Sequence, residues 1–317
     1  MNAASAAGNK VTVDVEGRHL TLSNLHKVLY PEAGFAKGEV IDYYTRIAPV
    51  LLPHLADRPL TVKRYPNGVD GMFFYEKNAT RGTPGWVRTK TLPVPGSTKN
   101  RETIDYVVVE ALPDLVWLAN LAALELHVPQ WRVPPRARKP RTDLIVFDLD
   151  PGPPATIVEC SEVAILLRDL LVADGFSPVA KTSGSKGMQV SVPIECDDPE
   201  LPSTYARLLA RRLETDRPDL VVSRMAKELR PNKVLVDWSQ NNPAKTTVAP
   251  YSLRARPQPT VSTPLTWDEA GSGELLSFTA ADVLERVAEF GDLFAGVLDD
   301  GQRARLTAKT VATATRG

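Results

Sequence analysis

The chain has 317 residues, 43% of them hydrophobic, enough for a sizeable core in one large domain or two tightly joined lobes. Lys+Arg and Asp+Glu both number 38, so net charge is zero and any basic surface for nucleic acid must be local. Two cysteines, Cys160 and Cys196, with no CxxC, argue against a disulfide framework or a cysteine zinc site and fit a reducing cytoplasm.

Met1 to Lys10 is small and polar and reads as a flexible start, not a signal peptide or anchor. No stretch is long and apolar enough to span a bilayer. Val11 to Val15 and His19 to Leu22 read as a strand pair around Glu16-Gly17, and Ser23 to Lys37 as irregular chain. A helix is expected from about Gly38, with Val40, Tyr44, Ile47 and Leu51 at helical spacing. Short strands follow at Leu60 to Tyr65, Met72 to Glu76, Trp86 to Thr89 and Ile104 to Val109. Pro113 opens a buried helix to Leu124. Thr156 with Glu159 forms a capping box for a helix that buries Cys160, Val163, Leu167 and Leu170. Val179 to Thr182, Met188 to Val192 and Val234 to Trp238 read as strands, and Leu201 to Leu213 as a helix. A last helix from Thr279 is expected to bury Val283, Val287, Phe290 and Phe294, ahead of a loose tail. The expected organisation is a flexible 1–10, one catalytic domain over 11–300 and a C-terminal tail over 301–317. Strands and helices intermix without a strict βαβ rhythm, which points to an α+β fold with mixed sheets.

Leu144 to Leu149 is an apolar strand with one carboxylate inside it, stopped by Pro151-Gly152. Alternation puts Ile145, Phe147 and Leu149 on one face and Val146, Asp148 and Asp150 on the other. Two neighbouring carboxylates repel each other and call for a counter-charge, either Mg²⁺ or Mn²⁺ or, if Asp150 belongs to the turn, an arginine beside Asp148. Asp237 ends another apolar strand and is either a third ligand of a two-metal clamp or a cap. Ser183-Gly184-Ser185-Lys186-Gly187 is either a phosphate cradle or a hairpin turn; it is not a Walker loop, because no Ser or Thr follows Lys186. Trp131 to Thr142 holds Arg132, Arg136, Arg138, Lys139 and Arg141 among three prolines, and reads as a loop facing a phosphate backbone or only solvent. His127 is a hydrogen-bonded core residue or a contact for a triphosphate or sugar.

Taken together and in order, Leu124-Glu125-Leu126-His127-Val128-Pro129-Gln130-Trp131, Val146-Phe147-Asp148-Leu149-Asp150-Pro151-Gly152, Thr182-Ser183-Gly184-Ser185-Lys186-Gly187, Val236-Asp237-Trp238-Ser239-Gln240-Asn241 and Ala249-Pro250-Tyr251-Ser252-Leu253-Arg254-Ala255-Arg256 resemble the polymerase domain of bacterial DNA ligase D. That domain is a member of the archaeo-eukaryotic primase–polymerase superfamily. The similarity runs from about Leu20 to Phe294. The chain ends soon after it and so resembles a stand-alone member of the mycobacterial Prim-PolC kind, for which a separate ATP-dependent DNA ligase is the expected partner. The resemblance implies an archaeo-eukaryotic primase-like core, two small mixed or antiparallel β-sheets flanked by helices with the active site between them. It implies that Asp148, Asp150 and Asp237 ligate two Mn²⁺ or Mg²⁺ ions. It implies that His127, Ser183, Lys186, Gly187, Arg230 and Arg254, with Lys63 and Gln240 nearby, hold an NTP or dNTP. Asn24, Lys27 and Lys37 match a pocket for the 5′-phosphate of a downstream strand, and Phe74 and Tyr75 an aromatic pair that stacks on the template. Where the family commonly has histidine, this chain has Gln189, a neutral amide that can still donate to a phosphate oxygen.

The expectation is a metal-dependent nucleotidyltransferase that fills short gaps beside a 5′-phosphate in gapped or broken duplex DNA. It would be cytoplasmic, nucleoid-associated when on DNA, and without a membrane partner. The competing reading is a non-catalytic DNA-end binder that recruits a ligase. Ligation by this chain itself is set aside, because the KxDG signature would need lysine where Gly68 precedes Val69-Asp70-Gly71.

Overall fold

A computed structural model describes residues 10–94, 102–135 and 140–314. Two hydrophobic cores organise it. The first lies under a four-stranded antiparallel sheet in the order Thr247–Val248, Ala123–Val128, Thr61–Arg64, Phe74–Glu76. The long helix Lys37–Leu55 packs there with the helix Leu112–Asn120, burying Val40, Tyr44, Ile47 and Leu51 as their spacing requires.

The second core belongs to a seven-stranded mixed sheet. Its path runs Val221–Val222, Val234–Asp237, Leu144–Pro151, Met188–Glu195, Val179–Thr182, Pro264–Leu265, and Ala304–Arg305 adds to Met188–Glu195. The helices Ile157–Ala173 and Leu201–Asp216 cover the face built by Ile145, Phe147, Leu149, Met188, Val190 and Val192. The Thr156–Glu159 capping box and the buried Cys160 are both present. The expected architecture, sheets flanked by helices, is thus the one observed.

The differences have physical causes. The helix expected from Pro113 to Leu124 ends at Asn120, and Ala123–Val128 is a strand. Apolar residues all round suit a buried strand as well as a buried helix. The chain turns at Ala122 with φ of 56°, and pairing with Thr61–Arg64 then decides the outcome. The strand placed at Trp86 to Thr89 lies instead at Thr89–Pro93, against Thr103–Val107. The stretch read as a loop from Trp131 to Thr142 pairs at its ends, Trp131–Arg132 with Arg141–Thr142. Arg132 bonds the buried Asp143 at 2.7 Å and Arg141 bonds Glu195 at 3.2 Å, so neither side chain is left to solvent alone. Arg136, Arg138 and Lys139 lie outside the described residues. Phe290, expected in the core, is 48% exposed, with Arg286 over its ring. The C-terminal tail contains the strand Ala304–Arg305, and its part expected to be loose, from Leu306 on, holds the helix Ala308–Ala314, which packs on Leu201–Asp216.

One side chain completes the large sheet. The Val234–Asp237 strand stops opposite Asp148, and the chain turns into a short 3₁₀ segment, Trp238–Asn241. The Asn241 amide then accepts from Val146 N–H at 2.8 Å and donates to Val146 C=O at 2.8 Å, taking the place of the missing strand. Both Val146 groups are buried, and an unpaired one costs about 1–3 kcal/mol. Asn241→Leu should therefore destabilise the fold by roughly 2–5 kcal/mol in denaturant unfolding, with the loss centred beside Asp148.

Candidate active site in the cleft between the sheets

The site is built on strand ends. Asp148 stands directly across from Asp237 on one neighbouring strand and from Gln189 on the other. Asp150 follows two residues on, at the mouth of the strand. Burial, reinforced by Asp150, pushes the Asp148 carboxyl well above the usual carboxylate range. Burial and Asp237 raise Asp150, while Arg230, Arg254 and Lys186 oppose that rise.

Two glycines let other segments reach these carboxylates. A Cβ on Gly187 would lie 1.9 Å from the Leu149 carbonyl oxygen, so only glycine lets the Ser183–Gly187 turn press on the carboxylate strand. A Cβ on Gly152 would lie 2.0 Å from the Arg230 carbonyl oxygen, which explains how Arg230 is brought beside Asp150. Within the 183–187 turn, Ser183 Oγ accepts from the N–H groups of Ser185 and Gly187, both at 3.2 Å, and Lys186 is exposed at its tip. The turn's N–H groups thus converge on the Ser183 hydroxyl, with a lysine beside them.

The opposite wall is basic and centred on an acid. Glu125, buried in the small sheet, accepts from His127 Nε2 at 2.9 Å and lies 3.4 Å from both Lys63 Nζ and Arg254 Nε. Burial would raise its carboxyl, but His127, Arg254 and Lys63 hold it far below the usual range. Burial lowers His127, and Glu125 opposes the fall. Arg254 also donates to the Ser183 carbonyl at 2.5 Å, so one guanidinium ties the small-sheet wall to the phosphate-type turn.

Most of the residues singled out by sequence meet here. Asp148, Asp150, Asp237, Gln189 and Gln240 form one wall, His127, Lys63 and Arg254 the other, with Ser183, Lys186, Gly187 and Arg230 between them. Gln240 donates to Asp237 Oδ2 at 2.8 Å, and Ser239 donates to Oδ1 through both its N–H and its hydroxyl. Gln189 gives its amide N–H to Asp148 Oδ1 at 2.9 Å, not to the open cleft. Tyr75 stacks edge-on against His127 at 6.5 Å, and Lys63 lies over Phe73, Tyr75 and Tyr65 at 4.7–5.5 Å. Met72, Phe73, Phe74 and Tyr75 are all strongly exposed, forming an aromatic edge beside the basic wall.

Asn24, Lys27 and Lys37 form a separate cluster. Asn24 has φ of 53° and its carbonyl accepts from Lys27 N–H at 3.0 Å. Lys27 donates to Asn67 at 3.0 Å, and the buried Lys37 ammonium donates to the Ser23 carbonyl at 2.6 Å. Burial, with Lys27 nearby, pulls the Lys37 ammonium down to about 8.

Sequence reasoning missed Glu125 and Lys181. Period two places Glu125 on the face of His127, and a carboxylate inside an otherwise apolar run was the available signal. Lys181 likewise sits inside an apolar strand, two residues before Ser183. Its ammonium donates to Ser262 Oγ at 2.6 Å, and burial lowers it to about 7.

Among the described residues, no group of three or more His, Cys, Asp or Glu side chains is already gathered as an ion cage. The donor chemistry nevertheless suits a hard divalent cation. All three side chains are carboxylates, and burial, with repulsion from the neighbouring carboxylates, raises Asp148 and Asp150.

Comparison with known proteins agrees with this geometry. A family model described as LigD, primase-polymerase domain, matches residues 36–294. The multifunctional non-homologous end joining protein LigD of Mycolicibacterium smegmatis is 45% identical over 275 residues, covering 86% of this chain and 35% of that protein. The bifunctional non-homologous end joining protein LigD of Bacillus subtilis is 30% identical over 275 residues, covering 86% of this chain and 43% of that protein. This chain therefore spans less than half the length of these relatives. The solved polymerase domain from Mycobacterium tuberculosis Ligase D in complex with DNA matches with a TM-score of 0.83 and 42% identity, covering 89% of this chain and 98% of that one. With its carboxylate strand ends facing a basic wall across the cleft, the chain belongs to the LigD primase–polymerase domain family.

Proposed function

We propose that this chain is a DNA repair nucleotidyltransferase that extends a primer across short gaps beside a 5′-phosphate, using ribo- or deoxyribonucleoside triphosphates. The observation that carries the reading is the placing of Asp148 across from Asp237, with Asp150 two residues on, against a basic wall built from other segments. The match to a polymerase domain in complex with DNA supports it.

Asp148, Asp150 and Asp237 would hold Mn²⁺ or Mg²⁺, which when bound lowers the pKa of the primer 3′-hydroxyl and offsets charge on the departing pyrophosphate. The chain's own groups do the rest. Ser183, Gly187 and Lys186 cradle phosphate oxygens, Arg230, Arg254 and Lys63 supply positive charge around the triphosphate, and the His127 ring, whose neutral form burial favours, adds a hydrogen bond. Gln240 and Ser239 fix the orientation of Asp237. Lys27, Lys37 and Asn24 hold the downstream 5′-phosphate, which sets the gap as the preferred substrate. A phosphate there would favour the charged form of Lys37. Phe74 and Tyr75 offer ring faces to template bases without choosing a sequence. A separate ATP-dependent DNA ligase is the partner proposed to seal the product.

Three outcomes are expected. Primer extension on gapped duplex with Mn²⁺ should fall at least about a thousandfold in Asp148→Asn with Asp150→Asn, equivalent to roughly 4 kcal/mol of barrier. Extension at wild-type rate would sink the proposal, and end binding without extension in the unaltered chain would favour the end-binder reading. Lys27→Ala should erase the preference for a 5′-phosphorylated downstream strand and reduce the salt dependence of binding by about one phosphate contact, read by anisotropy over a salt series. Glu125→Gln removes the charge that opposes burial at His127, so the His127 ring should titrate at still lower pH, as followed by NMR.

A further inference from the structure

The large sheet carries a polar row that runs straight across four adjacent strands. Lys181 pairs with Gln189, Gln189 with Asp148, and Asp148 with Asp237. Alternation explains the row: Met188, Val190 and Val192 enter the helix-covered core, so Gln189 must lie on the opposite face with Asp148.

Gln189 is only 3% exposed. It lines a cavity of about 30 Å³ between the two sheets, together with Gln130, Lys181, Ser191 and Thr247. The Gln189 amide is not free to turn. Asp148 Oδ1 can only accept while the carboxylate is charged, so Nε2 must face it, at 2.9 Å. The other amide atom, Oε1, is buried with no hydrogen-bond partner among the described residues. Much of the cavity wall is apolar, with Val128, Leu144, Val146, Val248 and Phe294 among its lining residues. Gln189 thus reaches the chemistry only through Asp148.

We infer that Gln189 is a positioning residue for Asp148, holding that carboxylate in place for the divalent ion rather than contacting the nucleotide. A neutral amide is well suited to this role, because it fixes the carboxylate through Oδ1 without cancelling the charge an ion requires. Lys181, the next member of the row, is turned to Ser262 and stays out of direct contact with Asp148. The inference rests on the proposed function, because it assumes that Asp148 is a ligand.

The test uses the full chain without DNA or nucleotide, with Mn²⁺ as the probe and free ion counted by electron paramagnetic resonance. Gln189→Met keeps the length and loses the donor. It should weaken Mn²⁺ binding about 10- to 100-fold, the usual cost of removing a group that orients a metal ligand. At saturating Mn²⁺ the KM for NTP should stay within about twofold of wild type, since orientation rather than nucleotide contact is lost. Gln189→His, which restores an N–H donor, should recover most of the Mn²⁺ affinity. Gln189→Asn, a smaller change, serves as the second donor-withdrawing variant should the methionine variant fold poorly, and should show the same direction. Wild-type Mn²⁺ affinity in both Gln189→Met and Gln189→Asn would overturn the inference. So would a raised KM for NTP with Mn²⁺ affinity intact, which would make Gln189 a nucleotide contact. If the unaltered chain takes up no Mn²⁺, the proposed function fails and the inference falls with it.

Discussion

Holding like charges together in a buried place is the constraint on which this structure depends. Asp148, Asp150 and Asp237 sit at the ends of adjacent strands, and burial with mutual repulsion drives Asp148 and Asp150 toward their neutral forms. Ionised carboxylates persist there only if positive charge is delivered and the strands cannot move apart. Apolar side chains on the other face of the same strands, packed under two helices, provide the second condition. Arg230, Arg254 and Lys186 provide part of the first, and each comes from a different segment.

The facing wall solves the converse problem. His127, Lys63 and Arg254 would repel each other if they converged with nothing between them. Glu125 stands at their centre and is held ionised by them. The two walls are therefore electrically complementary, and Arg254 joins them through Ser183. A chain with zero net charge can in this way present a strongly patterned cleft. A second buried pair, Arg58 with Asp143 at 2.7 Å, is reinforced by Arg132, and Arg58 lines the same small cavity as Gln189. Such pairs contribute little net stability but fix geometry, because breaking one strands a buried charge.

Much of the site is legible as alternation. Asp148 and Asp150 share a face because strand side chains repeat every two residues, and the glycine-lysine turn stands between two legible strands. The apolar run up to Leu124 defeats local reading, because its composition carries no period that separates a buried helix from a buried strand. Alternation places Gln189 on the correct face but says nothing about which atom an amide finds there. Its neighbour is Asp148. Glu125 is marked in the sequence only as a carboxylate inside an apolar run; its role is not legible there, because it lies in three partners, of which Lys63 and Arg254 are distant in sequence.

The sequence by itself determined the family, the carboxylate strand, the turn beside it and the helix that buries Cys160. Each depends on local order: period, breakers and motifs in succession. Only the tertiary structure decided that Asp237 stands across from Asp148, that Asn241 stands in for a missing strand, and that one carboxylate gathers three basic residues. Those outcomes depend on strand register and on which segments pack together. Register is set by pairing between stretches far apart in the chain, so no local window contains it.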